Sequence, residues 1–515
     1  MTVSWTKKEI ALLVALLGLA AALRLWSIGY DLPYVFHPDE PAVVGTALRI
    51  LKSGDLNPHF FHYPSLVFYV HALAYLVYYG AGHMTGTFAG PTELADLSSL
   101  ILGTTLAPDP AIVMIGRLLT VVLGVGAVLL VYLIARRLTD DWAVGAVAAL
   151  LTAVSPTLIY NSRIVTPDMF VTFFALLTLY FGVRIFRQGR TRHYVAIGVA
   201  IGLTAASKYN GAIVGLILPA AHFLRAGWSG WRDKRLYLPA LLGGLIFLLA
   251  TPYAALDYPA FSEALRFDAT HYATGHSGME GDSVRWYAIF LWSTTTLMPL
   301  LALLQLGRGI LLKSKVTLLL ASFPVVYFIF ISRFIVRNDR TILPILPFLF
   351  LLSAVLWVET SRAARRLPDP KRRGVVSAAL LLLMVVLVGF PARMSIAENV
   401  RRAGERTIPV AAEWITANIP PGSHIALESY GPYIDPDVYA LEVFEQIIDN
   451  PPEWYAEQAF DYLVLSKGRY GRYLDDPERY AKEAADYKTV FASFELVKTF
   501  SSERAEIRIY ALPSP

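Results

Sequence analysis

Long apolar runs alternate with short polar connectors over most of the chain. Runs near 9–28, 111–135, 142–160, 168–187, 194–207, 211–224, 237–253, 285–306, 316–332, 341–360 and 374–391 read as membrane helices. Together they predict about 11 crossings. A further run at 64–80, "PSLVFYVHALAYLVYYG", carries His71 and several tyrosines, as a juxtamembrane or re-entrant helix would. From 392 onward the pattern changes. "FDYLVLS" and "SFELVKTFSSERAEIRIYAL" are strand-like, and "RTIPVAAEWITANIPPGSHIALES" mixes a short helical pattern with turn signals. That predicts a small α/β domain over 392–515.

Charge orients these runs. The loops at 135–142, 184–193, 224–236, 307–315 and 361–373 are rich in Arg and Lys, which marks the cytoplasmic side. Lys7 and Lys8 join them, so the first run is read as a retained anchor leaving the cytoplasm. If 64–80 crossed the membrane, every later basic loop would invert, so it is read as not crossing. The first outer loop is then 29–110, within a membrane domain of 1–391, and the C-terminal domain is extracytoplasmic. The stretch 194–224 enters and leaves on the basic side, turning at "SKYNG" around Lys208.

Composition agrees with the pattern. Apolar residues make up 55% and charged residues 17% of the 515, against a globular norm of about 45–50% and 25%. The chain is therefore a multi-pass helical protein of a cell membrane, plasma or inner. Its net charge of +5 sits in short loops and is no nucleic-acid signal. With no cysteine present, disulfides, thiolate metal sites and cysteine nucleophiles are excluded.

The ionisable residues collect at the outer ends of these runs. The first outer loop holds His37, Asp39, Glu40, His59 and His62, and "NSRIVTPD" holds Arg163 and Asp168. Lys208 marks the next turn. His271, His276 and Glu280 lie in the glycine-rich 254–284 loop, and Arg333, Arg337, Asp339 and Arg340 in "RFIVRNDR". A transporter of lipid-linked sugars would usually place such groups near the bilayer midplane. Their outer position favours an enzyme at the lipid–water boundary over a transporter or flippase; a lipid-sugar receptor, which would bind without turnover, is a third reading.

"FHPDEP" (36–41) has two readings. In "AVVGTALRILK", Val43, Val44, Ala47, Leu48 and Leu51 share one face, which predicts an interfacial helix. Pro41 suits its first position, leaving Asp39 or Glu40 as an acidic N-cap. Alternatively, a carboxylate beside an outward cavity serves as a general base, as glycosyl transfer requires, with cations stabilising a departing phosphate. Lys208 is expensive to bury without an anion. Arg337 and Arg340 bracket Asp339, so one arginine is free for a phosphate. Arg163 and Asp168 either pair across their turn or serve the site. Arg117 is placed to lock Asp39 or Glu40. The histidines and carboxylates of the first loop offer metal ligands but lack a tight ligand motif, so no metal or other cofactor is expected; a divalent ion is the weaker alternative.

Six segments, taken in order, resemble the GT-C superfamily of integral-membrane glycosyltransferases, in the branch of the protein O-mannosyltransferases and aminoarabinose transferases. They are "FHPDE", "YPSLVFY" (63–69), "GRLLTVVLGVGAVLLVYLIARRL" (116–138), "SPTLIYNSRIVTPDMFVTFFALLTLY" (155–180), "AASKYNG" (205–211) and "RNDRTILPILPFLFLLSA" (337–354). The resemblance covers roughly residues 9–360. It implies a GT-C fold and a polyprenyl-phosphate-linked sugar donor. It also implies transfer, usually with inversion, to a lipid, glycan or protein acceptor on the outer face of the cell envelope. On this resemblance Asp39 is expected to be the general base and Glu40 its partner. Lys208, Arg337, Arg340 and Arg163 are expected at the donor phosphate, with His37, His59, His62, Tyr63, Arg117, Asp168, His271 and His276 in support. One departure stands out. The aminoarabinose transferases carry a lysine before a proline pair where this chain has His62 and Tyr63 before Pro64, which argues against aminoarabinose and lipid A as substrates.

Overall fold

The computed structural model describes residues 5–513, so the outermost residues of the two expected domains, 1–4 and 514–515, lie outside the described residues. The first helix, Lys7–Leu25, opens with a capping box. Thr6 Oγ1 accepts from Glu9 N at 3.2 Å, and Glu9 Oε2 accepts from Thr6 N at 3.0 Å. The helix Pro110–Thr139 runs antiparallel beside it. Arg136 Nε donates to Glu9 Oε1 at 2.9 Å at one end, and Arg117 Nη1 donates to the carbonyls of Ile28 and Tyr30 at the other. The chain between them therefore leaves and returns on a single face. Helix Leu66–Met84 packs there on helix Asp39–Ser53.

Four helical stretches are long and apolar enough to cross a membrane: Pro110–Thr139, Asp168–Gln188, Asp339–Arg365 and Pro370–Asn418. The other expected crossings are helical too, but shorter or more polar. Lys7–Leu25 carries Lys7, Lys8, Glu9 and Arg24, and Trp142–Val154 has 13 residues. Length and apolarity thus do not account for 11 crossings. The single helix expected near 285–306 is broken into Ser283–Thr295 and Met298–Leu311, bent by 110°. Thr296 there takes a φ of 55°, and Pro299 cannot donate to the preceding turn. At "SKYNG" the helix Thr191–Ser207 ends on Lys208 in extended conformation, and a 3-10 segment, Tyr209–Leu216, leads into Ile217–Ala226. A Cβ on Gly211 would lie 2.6 Å from the Thr204 carbonyl, so only glycine fits that turn.

The expected cap also differs. Helix Asp39–Ser53 begins at Asp39 with Pro38 before it and no side-chain cap bond; Pro41 falls at the third position. Its carboxylates are occupied elsewhere, as described below. Val43, Val44, Ala47, Leu48 and Ile50 are buried against Val67, Phe68 and Ile112, so an apolar floor holds this helix within the 29–110 segment. Lys52 turns outward to Asp96 at 2.7 Å.

A small antiparallel sheet completes the 29–110 segment: β1 (Tyr34–Val35), β2 (Ser98–Ile101) and β3 (Thr104–Leu106), in the order β1-β3-β2. Beyond it, helix Pro370–Gly404 continues through Pro391, so the α/β unit folds from Thr407 onward. That unit carries β4 (His424–Glu428), β5 (Ala440–Phe444), β6 (Tyr462–Ser466), β7 (Glu495–Ser501) and β8 (Glu506–Ala511), in the order β5-β4-β6-β8-β7. β4 runs parallel to β5 and β6, while β8 is antiparallel to β6 and β7. The unit docks on the β2–β3 hairpin. Tyr430 N donates to Leu102 O at 2.9 Å and Thr104 Oγ1 to Gly431 O at 3.2 Å. Gly103 permits the approach, because a Cβ there would sit 2.4 Å from the Tyr430 ring.

Candidate active site

Asp39 and Glu40 are neighbours with different surroundings. Glu40 is fully buried and takes both oxygens to Arg117, Oε1 from Nε at 3.0 Å and Oε2 from Nη2 at 2.8 Å. Val165 N adds a third bond to Oε1 at 3.0 Å. Arg117 in turn lies over the Tyr30 ring at 4.2 Å. Burial alone pushes the Glu40 carboxyl up, but Arg117 more than offsets it and holds it below its ordinary range. This pair joins the first helix, the 29–110 segment and the turn before Asp168.

Asp39 instead keeps 22% of its side chain exposed. Its Oδ2 accepts from Arg340 Nη1, and its backbone N–H donates to His37 Nδ1 at 3.3 Å. Burial raises the Asp39 carboxyl, yet the Arg340 guanidinium outweighs burial and holds it at about 2. His37 is pushed down to about 4, first by burial and then by Arg340, so its imidazole is neutral at pH 7. Tyr63 stands in the same pocket; burial and the Asp39 charge keep its phenol protonated.

Arg340 also feels Asp168, and Asp168 Oδ1 accepts from Lys208 Nζ at 2.7 Å. Asp168 is 1% and the Lys208 side chain 18% exposed. Charges therefore alternate from Asp39 through Arg340 and Asp168 to Lys208. A separate apolar groove of about 460 Å³ is lined by Ala212, Ile213, Leu216, Val326, Ile329 and Phe330, with Arg333 in its wall. Two hydrogen bonds join sequence neighbours of the groove lining to Thr341, the residue after Arg340. Asn210 Nδ2 donates to Tyr327 Oη at 3.1 Å, and Tyr327 Oη donates to Thr341 O at 3.0 Å.

Other expected site residues lie elsewhere. Arg163 is buried away from the alternating charges. Its Nη1 donates to Asn399 Oδ1 at 2.7 Å and to Trp26 O at 2.9 Å, where it braces the last long helix. It makes no pair with Asp168, whose carboxylate Lys208 holds. Arg337 points to the C-terminal domain, stacked 5.9 Å from the Trp286 ring. Arg117 serves Glu40. His59 is exposed and pairs with Asp55 at 2.8 Å. His62 Nδ1 lies 2.7 Å from Asp268 Oδ1, a contact that raises the imidazole despite burial. His271 packs edge-on against His276, and His276 Nε2 lies 3.3 Å from Arg472 Nη1 of the C-terminal domain. Among the described residues no three His, Asp or Glu side chains converge as metal ligands. The groove and its Asn210–Tyr327–Thr341 link carry no sequence signal beyond apolar runs, since they arise from segments about a hundred residues apart.

Residues 102–253 match the family model of dolichyl-phosphate-mannose-protein mannosyltransferase. No curated protein matches the chain by sequence. Solved structures do match by fold. The archaeal oligosaccharyltransferase AglB of Archaeoglobus fulgidus, in complex with an inhibitory peptide and a dolichol-phosphate, aligns at a TM-score of 0.59 and 12% identity, over 98% of this chain and 74% of its own. ArnT of Cupriavidus metallidurans bound to undecaprenyl phosphate aligns at 0.56 and 14% identity, over 98% of both chains. The chain thus has the GT-C fold of these membrane glycosyltransferases and is similar to the protein mannosyltransferases over residues 102–253.

Proposed function

We propose that the chain is a membrane glycosyltransferase that moves a sugar from a polyprenyl-phosphate carrier to an acceptor hydroxyl on the outer face of the membrane. The observation that carries this reading is the partly exposed Asp39–Arg340 pair, linked through Asp168 to Lys208. The carrier's chain lies in the groove and its phosphate meets Lys208 and Arg340, with Arg333 nearby. Asp39 accepts the acceptor's proton while the hydroxyl oxygen bonds to the anomeric carbon. The carbon–oxygen bond to phosphate breaks, and its electron pair leaves on the phosphate, where the two cations stabilise it.

In the resting pair Asp39, held near 2, is a weak base. A donor phosphate competes for Arg340. As the guanidinium turns to the phosphate, burial dominates at Asp39 and its proton affinity rises. Donor binding thereby prepares the base. Glu40 acts through Arg117 by holding the helix that carries Asp39. The active site and C-terminal domain face outward, and the N-terminus is cytoplasmic.

Asp39→Asn tests the reading. Sugar transfer should vanish while folding and undecaprenyl phosphate binding persist; full activity in that variant would overturn the assignment. Purified protein should also release free polyprenyl phosphate only when acceptor is present. Lipid movement between leaflets without that release would identify a flippase instead.

A further inference from the structure

A second cavity, of about 470 Å³, lies where the C-terminal domain meets the membrane portion. Its walls are the 275–282 loop, Arg337, and helix Lys467–Leu474 with the turn after it. The loop is shaped around guanidinium groups. A Cβ on Gly281, at φ 141°, would fall 2.8 Å from Arg337 Nη1, and one on Gly278, at φ 82°, would fall 3.1 Å from Arg472 Cβ. Glycine at these two positions lets the backbone lie directly on the arginine side chains.

Of the four cations that line this cavity, Arg504 pairs with Glu398 at 2.7 Å, and Arg337, Arg472 and Lys467 have no ion-pair partner among the described residues. Glu280, the loop's carboxylate in the wall, is taken by Arg479 at 3.3 Å and by the Tyr480 hydroxyl. Arg337 donates only to the Asp282 carbonyl, at 3.3 Å, and its guanidinium is held below its ordinary range by burial and then by the Arg479 charge. Arg472 donates to Tyr430 Oη at 2.8 Å and to Gly468 O at 3.1 Å, and to no carboxylate. Three cations therefore share one cavity without an assigned anion, while Asp475 and Asp476 add acceptors for hydroxyl groups to the same wall.

The cavity is joined to the proposed reaction centre through backbone. Gly281 N donates to Ile335 O at 3.1 Å and Arg337 N to Met279 O at 2.9 Å. Three residues beyond Arg337 comes Arg340, the partner of Asp39. A ligand seated against Arg337 thus rests on the segment that presents Arg340.

We infer that this cavity recognises the acceptor, and that the acceptor carries an anionic group, a phosphate or a carboxylate, on a hydroxyl-bearing framework such as a sugar. The assignment rests on the glycosyltransferase reading above. Its test uses the full chain in lipid nanodiscs, preloaded with undecaprenyl phosphate so that the groove site is occupied. Inorganic phosphate, titrated by calorimetry, should still bind. Lys467→Gln, which removes a side chain with no internal ion pair, should weaken that binding about tenfold, the loss of one charge-assisted contact. Arg472→Gln should weaken it at least as much, with undecaprenyl phosphate affinity unchanged in both variants. Absence of phosphate binding to the preloaded protein, or binding by both variants as tight as the parent's, would overturn the anion site. In cells, the surface glycan lost with Asp39→Asn should also decline with Lys467→Gln; an undiminished glycan would remove the acceptor role. Phosphate binding that behaves as expected while Asp39→Asn keeps full transfer would sustain the anion site and sink the Asp39 reading, so the two failures are distinguishable.

Discussion

The Glu40 and Asp39 ion pairs start one residue apart and do opposite work. The Glu40–Arg117 pair is dry: three donors reach the carboxylate, and Arg117 Nη1 donates to two carbonyls. Asp39–Arg340 is 22% and 20% exposed, with a single guanidinium contact that a phosphate can contest. A dry buried pair has no alternative partner and so holds structure. A partly exposed pair with a competitor in reach can exchange. The difference lies in the surroundings, since the two carboxylates have nearly the same chemistry.

The most severe break should come at the buried pair. Glu40→Gln leaves Arg117 charged in a dry site and should cost about 3–5 kcal/mol of stability. Thermal unfolding in detergent should show a large fall in Tm, or loss of folded protein. A Tm near that of the parent would mean that Arg117 finds another partner. Asp39→Asn should lower kcat about 10²- to 10⁴-fold, with Tm almost unchanged. Measured together, the two variants separate a structural acid from a chemical one.

Lys208→Met should have a smaller effect, about 10- to 100-fold in the rate of donor cleavage. It should also weaken undecaprenyl phosphate binding, a readout that a purely structural Lys208–Asp168 pair would not move. The smallest effect belongs to a third carboxylate. Glu428 in the C-terminal domain is fully buried, and burial pushes it up to about 7, although Ile447 N, Ser466 N and the Tyr487 hydroxyl all donate to it. A carboxyl raised in the folded state binds its proton more tightly there than when unfolded. Domain stability should therefore decline as pH rises from about 4.5 through about 7, then level off. Glu428→Gln should flatten that slope in pH-dependent thermal melts; an unchanged slope would assign it to another group.

Much of the architecture was legible in one dimension. The helices expected near 9–28 and 111–135 form, and the Arg117–Ile28 contact brings together the two ends of the segment between them. The apolar face of helix Asp39–Ser53 followed from spacing, because a helical period is a local property. The partners of charges were not legible. Asp39 meets Arg340 across 301 residues and Glu40 meets Arg117 across 77. No local rule tells which of two adjacent acids points inward. Arg163 and Arg337 looked equivalent to Arg340 as outer-end cations, yet Asn399 and the C-terminal domain claim them. The break at Thr296 was likewise hidden, since its left-handed backbone leaves the hydropathy of 285–306 intact.

Arg117 has one more consequence, best seen from polymer statistics. Its bonds to Ile28 and Tyr30 join the two ends of a segment of some eighty residues that leaves the bundle and comes back. Closing a flexible loop of that length costs about 4 kcal/mol in chain entropy, beyond a fixed constant. Because the same guanidinium holds Glu40, loop closure and the placement of the Asp39 helix are secured by one side chain. The outer segment is a clasped loop, and its length between the clasped ends is free to vary at little entropic expense. Insertions near 85–97, remote from the clasp, should be tolerated far better than any change at its base.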